Sequence, residues 1–101
     1  MKYFFVEGTF TRNIPTDEKA LARVIKEHQR FLEKGFVEGW ILFSGPNTAR
    51  DGGVLVMKMP SREDVDAFFA GDPMKISAMQ DYHIVEFQLH DCQDEIRDWF
   101  R

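Results

Sequence analysis

His28 stands where a leucine would be expected. Between Thr16 and Gly35 the apolar residues Leu21, Val24, Ile25, Phe31 and Leu32 recur at helical spacing, and His28 lies three or four positions from four of them. An imidazole in the middle of such a stripe must either satisfy both ring nitrogens inside the fold or face a cavity, where a nitrogen can take or give a proton near neutral pH. Considered alone, the first reading is a buried histidine bonded to a backbone carbonyl. Asp72 has an equally plain local reading: it precedes Pro73 at a helix start, where N-capping by itself selects an aspartate. A capping aspartate can still offer its second oxygen to an imidazole.

The other chemically capable residues do not assemble so readily. His83 and His90 lie seven positions apart on one extended stretch, hence on opposite faces, so a three-histidine metal site with His28 is not expected. Glu7 and Glu86 show no ligand-like spacing to His28, and no metal site is expected. Ser44 sits at a strand end without the surroundings of a nucleophile elbow. Gly52-Gly53 reads as a hairpin turn, and no phosphate loop or dinucleotide fingerprint is present, so no cofactor is expected. Met57, Met59, Met74 and Met79 read as core filler.

The elements that must position His28 and Asp72 follow from periodicity and punctuation. Tyr3 to Phe10 is aromatic and β-branched and ends before Asn13-Ile14-Pro15, giving a first strand. Thr16 is the expected N-cap of the histidine-bearing helix, with Asp17 and Glu18 in its first turn and Gly35 as its C′ residue. Val37 to Ser44 is a second strand closed by Gly45-Pro46, and a polar loop leads into Val54 to Met59 as an antiparallel hairpin. Ser61 caps a second helix whose inner face is Val65, Phe68 and Phe69, and Gly71 stops it. Asp72-Pro73 opens a helical turn carrying Met74, Ile76 and Met79, and Tyr82 to Leu89 alternates as the last strand. A C-terminal helix from Gln93 should dock through Ile96, Trp99 and Phe100. The order βαββαβ predicts an α+β fold of the ferredoxin-like type, an antiparallel sheet with both helices on one face.

Composition bounds the partners. A chain of 101 residues supports one core, and ten phenylalanines are more than a monomer of this size usually buries. Strands one and two are apolar at both parities, so the sheet needs cover twice; a homodimer or higher homo-oligomer, packed sheet to sheet, would supply it. Net charge is −4 with scattered basic residues, so neither nucleic acid nor an anionic membrane is an expected partner. A single cysteine, Cys92, points to a reducing compartment, and Glu7 interrupts the opening apolar run too early for a signal peptide. A cytoplasmic protein is expected.

Three short motifs, His28-Gln29-Arg30-Phe31-Leu32, Phe43-Ser44-Gly45-Pro46 and Gly71-Asp72-Pro73-Met74, occur in an order and spacing that resembles the YCII-related domain family over roughly residues 1 to 90. The resemblance implies a dimeric α+β barrel of ferredoxin-like subunits, with 91–101 as a helical extension. It also implies that His28 and Asp72 form an active-site dyad, and that a substrate pocket is lined by Ser44, Gly45 and Pro46. Met74 stands where many members carry an aromatic residue after Asp-Pro, which would alter the pocket's shape.

A carboxylate on one nitrogen of His28 would fix its tautomer and leave the other for proton transfer, the equipment of a cofactor-independent lyase, isomerase or dehydrohalogenase acting on a small, unsaturated or aromatic substrate. A non-catalytic ligand-binding or interaction domain with the same cavity is the alternative. Family resemblance supports the fold far better than the reaction.

Overall fold

The first strand organises the whole chain. In the computed structural model, which describes residues 1–101, β1 (Lys2–Phe10) buries Phe4, Val6 and Gly8 on one side and turns Tyr3, Phe5, Glu7 and Thr9 to the other. Helix α1 (Glu18–Val37) follows, capped by Asp17, whose carboxylate accepts the Ala20 N–H at 2.9 Å. The cap falls one residue later than Thr16, the residue expected, and places an acid at the positive end of the helix dipole.

The end of α1 also differs from expectation. Gly35 lies inside the helix and is buried, because a Cβ there would stand 2.4 Å from Ile41 Cδ1 where the chain returns. The true stop is Gly39, whose φ of 77° supplies the left-handed residue that Gly35 was expected to provide. Strand β2 (Ile41–Pro46) therefore starts four residues later than Val37, and Val37 is an exposed helical residue.

Strand β3 (Gly52–Met59) pairs with both β1 and β2. The connecting loop is held by Asn47, whose side chain donates to Asp51 Oδ1 at 2.6 Å and accepts the Asp51 N–H at 3.1 Å. Gly52 and Gly53 are not the turn but the first residues of β3, opposite Thr9 and Gly8. Their type is required by close approach: a Cβ on Gly52 would lie 1.8 Å from the Gly8 carbonyl oxygen.

Helix α2 (Arg62–Phe69) is capped by Ser61, and the single turn α3 (Pro73–Ile76) by Asp72, with Met74 buried and Ile76 exposed. Strand β4 (Gln80–Phe87) begins two residues before Tyr82, where sequence placed its start. The chain ends in α4 (Asp94–Arg97) and a 3-10 turn, Asp98–Phe100. No helix is long and apolar enough to cross a membrane.

The strand order β2-β3-β1-β4, antiparallel throughout, is the ferredoxin-like sheet. Phe31 and Leu32 of α1 and Val65 and Phe69 of α2 meet Phe4, Val6, Leu55 and Met57 in one core on a single sheet face. The C-terminal segment crosses to the opposite face. Tyr3 there packs on Phe87, Trp99 and Phe100, Trp99 Nε1 donates to the Gly39 carbonyl at 2.9 Å, and the Lys58 ammonium lies 4.7 Å over the Trp99 ring. Trp99 and Phe100 dock as expected, whereas Ile96 stays exposed. Beyond the tail, Phe43, Val56, Phe5 and Val85 form one apolar row across all four strands, with Phe43 48% and Val85 41% exposed.

The hairpin glycines should separate under substitution. Gly52→Ala should cost about 1–3 kcal/mol or more in urea denaturation, because its Cβ meets a backbone atom that cannot step aside. Gly45→Ala, with nothing within 4 Å of the added carbon, should stay within about 0.5 kcal/mol of the parent.

Candidate functional site

The helical stripe of α1 turns His28 toward the sheet, and the Asp72-Pro73 start of α3 brings a carboxylate to meet it. His28 Nδ1 lies 2.8 Å from Asp72 Oδ2; the histidine side chain is 18% exposed and the aspartate 0%. The contact has hydrogen-bond length, but the oxygen lies off the direction of a ring N–H, and Nδ1 has no aligned partner. It is therefore a close contact rather than an aligned hydrogen bond.

Asp72 is otherwise well supplied. Its Oδ1 accepts the Met74 N–H at 3.0 Å, the capping bond expected of its position, and its Oδ2 accepts the Tyr82 hydroxyl from β4. A buried carboxylate is sustained only by such donors. Tyr82 pays a reciprocal effect: burial first, then its hydrogen bond to Asp72 and that group's negative charge, push its phenol well above the usual range, opposed in small part by the Gln80 amide. Tyr82 is thus held as a neutral donor.

In front of this cluster lies a cavity of about 310 Å³ between α1 and the sheet. His28 and Tyr82 line it, and Asp72 stands behind them, outside the lining. Of the other residues expected at a site, Ser44, Gly45 and Pro46 line the cavity from β2, with Ser44 and Pro46 exposed, and Met74 lines it from α3 as a buried side chain. Apolar walls come from Val6, Ile25, Leu32 and Phe69. Five of the six residues named from sequence therefore line one space, and the sixth, Asp72, stands behind His28. Sequence reading missed Tyr82 and Gln80. From sequence Tyr82 reads only as the start of a strand; alternation puts it on one face with Ile84, but only the pairing opposite Gly8 makes that the face of Phe4 and Val6.

Tyr82→Phe isolates the hydroxyl. At neutral pH the loss of a donor to a buried carboxylate should cost about 1.5–3 kcal/mol. In the parent the folded phenol ionises at higher pH than the unfolded one, so the unfolded chain binds fewer protons above about pH 10 and stability falls as pH rises from there. That part of the alkaline decline should be missing in Tyr82→Phe when urea midpoints are followed into that range, and equal declines in both proteins would contradict the assignment.

Comparison with known proteins agrees with this architecture. The family model of the YCII-related domain matches residues 5–88. No curated protein sequence matches the chain. Among solved structures, a 5-chloro-2-hydroxyhydroquinone dehydrochlorinase from Burkholderia phenoliruptrix AC1100, in complex with 2,5-dihydroxybenzoquinone, superposes with a TM-score of 0.66 at 18% identity, covering 85% of this chain and 93% of its own. An antibiotic biosynthesis monooxygenase superposes with a TM-score of 0.56 at 17% identity, covering 88% and 99%. At these identities the likeness is one of fold. With a ferredoxin-like sheet, a cavity under its first helix and a family match spanning most of its length, the chain belongs to the YCII-related domain family.

Proposed function

We propose that this protein is a small enzyme that moves a proton on a compact, unsaturated or aromatic substrate, with His28 as general acid and base and Asp72 orienting it. The observation that carries the reading is the placement of His28: its ring stands at a cavity wall with a buried carboxylate 2.8 Å behind Nδ1, which leaves Nε2 for a ligand. Removing a hydroxyl proton from such a substrate pushes an electron pair into its unsaturated system. A proton returned to carbon completes an isomerisation; when that carbon bears a halogen, removal of a second hydroxyl proton expels the halide with its bonding pair, and the net loss is one proton and one halide. Neither outcome needs an oxidant. The dehydrochlorinase of like fold supports the elimination version. Ser44, Gly45, Pro46 and Met74 would then shape the substrate's seat.

A second reading is favoured by the poor alignment at Nδ1 and by the prior commitment of Asp72 to Met74 and Tyr82. In it the cluster is structural and the cavity only binds a small ligand. Kinetics separates the two. With halogenated hydroxyhydroquinones as substrates and released halide as the readout, His28→Gln should lower kcat by about 10²–10⁴-fold. Asp72→Asn should lower it by about tenfold or more, equivalent to about 1.4 kcal/mol of barrier. Saturable binding without halide release or isomerisation would favour the binding domain.

The apolar row on the open sheet face supports a homodimer, in which a second copy covers Phe43, Phe5 and Val85 face to face. Sedimentation at micromolar concentration should show a dimer that Val85→Lys converts to monomer. A monomeric parent would remove the dimer from the reading.

A further inference from the structure

Gln80 is the one buried amide side chain that lines the cavity, and it takes no part in holding Asp72. It is 7% exposed, at the start of β4 opposite Phe10, and it lines the cavity. A carboxamide has two donor hydrogens and an acceptor oxygen with two lone pairs. The hydrogen bonds of this region converge instead on Asp72, from Met74 and Tyr82. Proximity to the Tyr82 hydroxyl engages at most one of the amide's hydrogens, so most of its bonding capacity is directed at the cavity.

Its place is also cleared for it. A Cβ on Gly8 would lie 2.6 Å from both Cδ and Nε2 of Gln80, so β1 carries a glycine in mid-strand where a side chain would normally pack. An interior glycine weakens a strand, and here that cost clears the space in which the Gln80 amide lies against the cavity. A local cost that serves one side chain points to selection for what that side chain does.

We propose that Gln80 is a specificity-determining residue that hydrogen-bonds a hydroxyl or carbonyl group of an uncharged ligand held in this cavity, and that Gly8 exists to seat it. The walls support the charge class: no lysine, arginine, aspartate or glutamate lines the space, so an ionic group on the ligand would find only neutral amides, the hydroxyls of Ser44 and Tyr82 and the His28 ring there. The inference rests on the cavity being a ligand site, as the proposed function holds, but not on proton transfer by His28.

Hydroquinone and p-xylene, matched in shape and opposite in polarity, are the probes, with affinities taken from amide chemical-shift titrations. Gln80→Leu should shift the ratio of hydroquinone to p-xylene affinity by about tenfold or more toward p-xylene. It should melt near the parent temperature, because the amide makes no hydrogen bond that holds an element of the fold. Gly8→Ala, which displaces the amide without removing it, should shift the ratio the same way. The same Gln80-dependent shift should persist in a His28→Gln background. An unchanged ratio in Gln80→Leu overturns the proposal while leaving the catalytic reading intact, and an unchanged ratio with a lowered melting temperature identifies Gln80 as a structural amide. Failure of both probes to bind the parent overturns the proposal and the ligand site beneath it.

Discussion

A carboxylate buried to the last atom has to be surrounded by donors before the chain can close over it, and Asp72 is that group here. Its partners come from three separate places: the Met74 N–H from its own helical turn, the Tyr82 hydroxyl from β4, and the His28 ring from the middle of α1. Losing one donor to such a buried carboxylate costs about 1.5–3 kcal/mol, more than an exposed ion pair is worth. The position of α3 is thereby tied to α1 and β4 together. The cavity is what remains between α1 and the sheet once that cluster has fixed how closely they approach.

The same arrangement constrains what His28 can be. Asp72 Oδ2 accepts from Tyr82 and also faces His28 Nδ1, so one oxygen serves two groups, and the hydroxyl takes the better direction. The imidazole is left held by packing and proximity more than by an aligned bond. Catalytic hydrogen bonds often tighten only when substrate is bound, so a poorly aligned contact at this cavity fits either proton transfer or simple binding.

Much of this was legible in the order of residues, and the misses share a cause. The stripe on α1 placed His28 inward because helical periodicity depends only on near neighbours, and Asp72-Pro73 announced a helix start for the same local reason. Gly35 was misread because a glycine near a helix end has two uses. Here it admits Ile41 from a returning strand, and the left-handed turn falls to Gly39. Gly52-Gly53 differs likewise, since Gly52 is required by the carbonyl of Gly8 on β1 and Gly53 by that of Gly45 on β2, contacts made only when the strands pair. Tyr82 and Gln80 were missed at the site because a strand's register on its neighbour fixes which side chains share a face, and register is a tertiary fact.

That register also joins the two faces of the sheet. Phe4, Val6 and Gly8 of β1 build the core and the cavity, while Phe5 between them supplies the centre of the exposed apolar row. A slip of one residue would exchange the two sets and put Glu7 in the core. Gly8 resists such a slip from the cavity side, since the residue opposite Gly53 and beside Gln80 has no room for a side chain. The tail resists it from the other, because Tyr3 is held at once by the rings of Phe87, Trp99 and Phe100. An event on the open face that displaced β1 along its neighbours would therefore be felt in the cavity through the seat of Gln80, whereas one that merely covered Phe43 and Val85 would not.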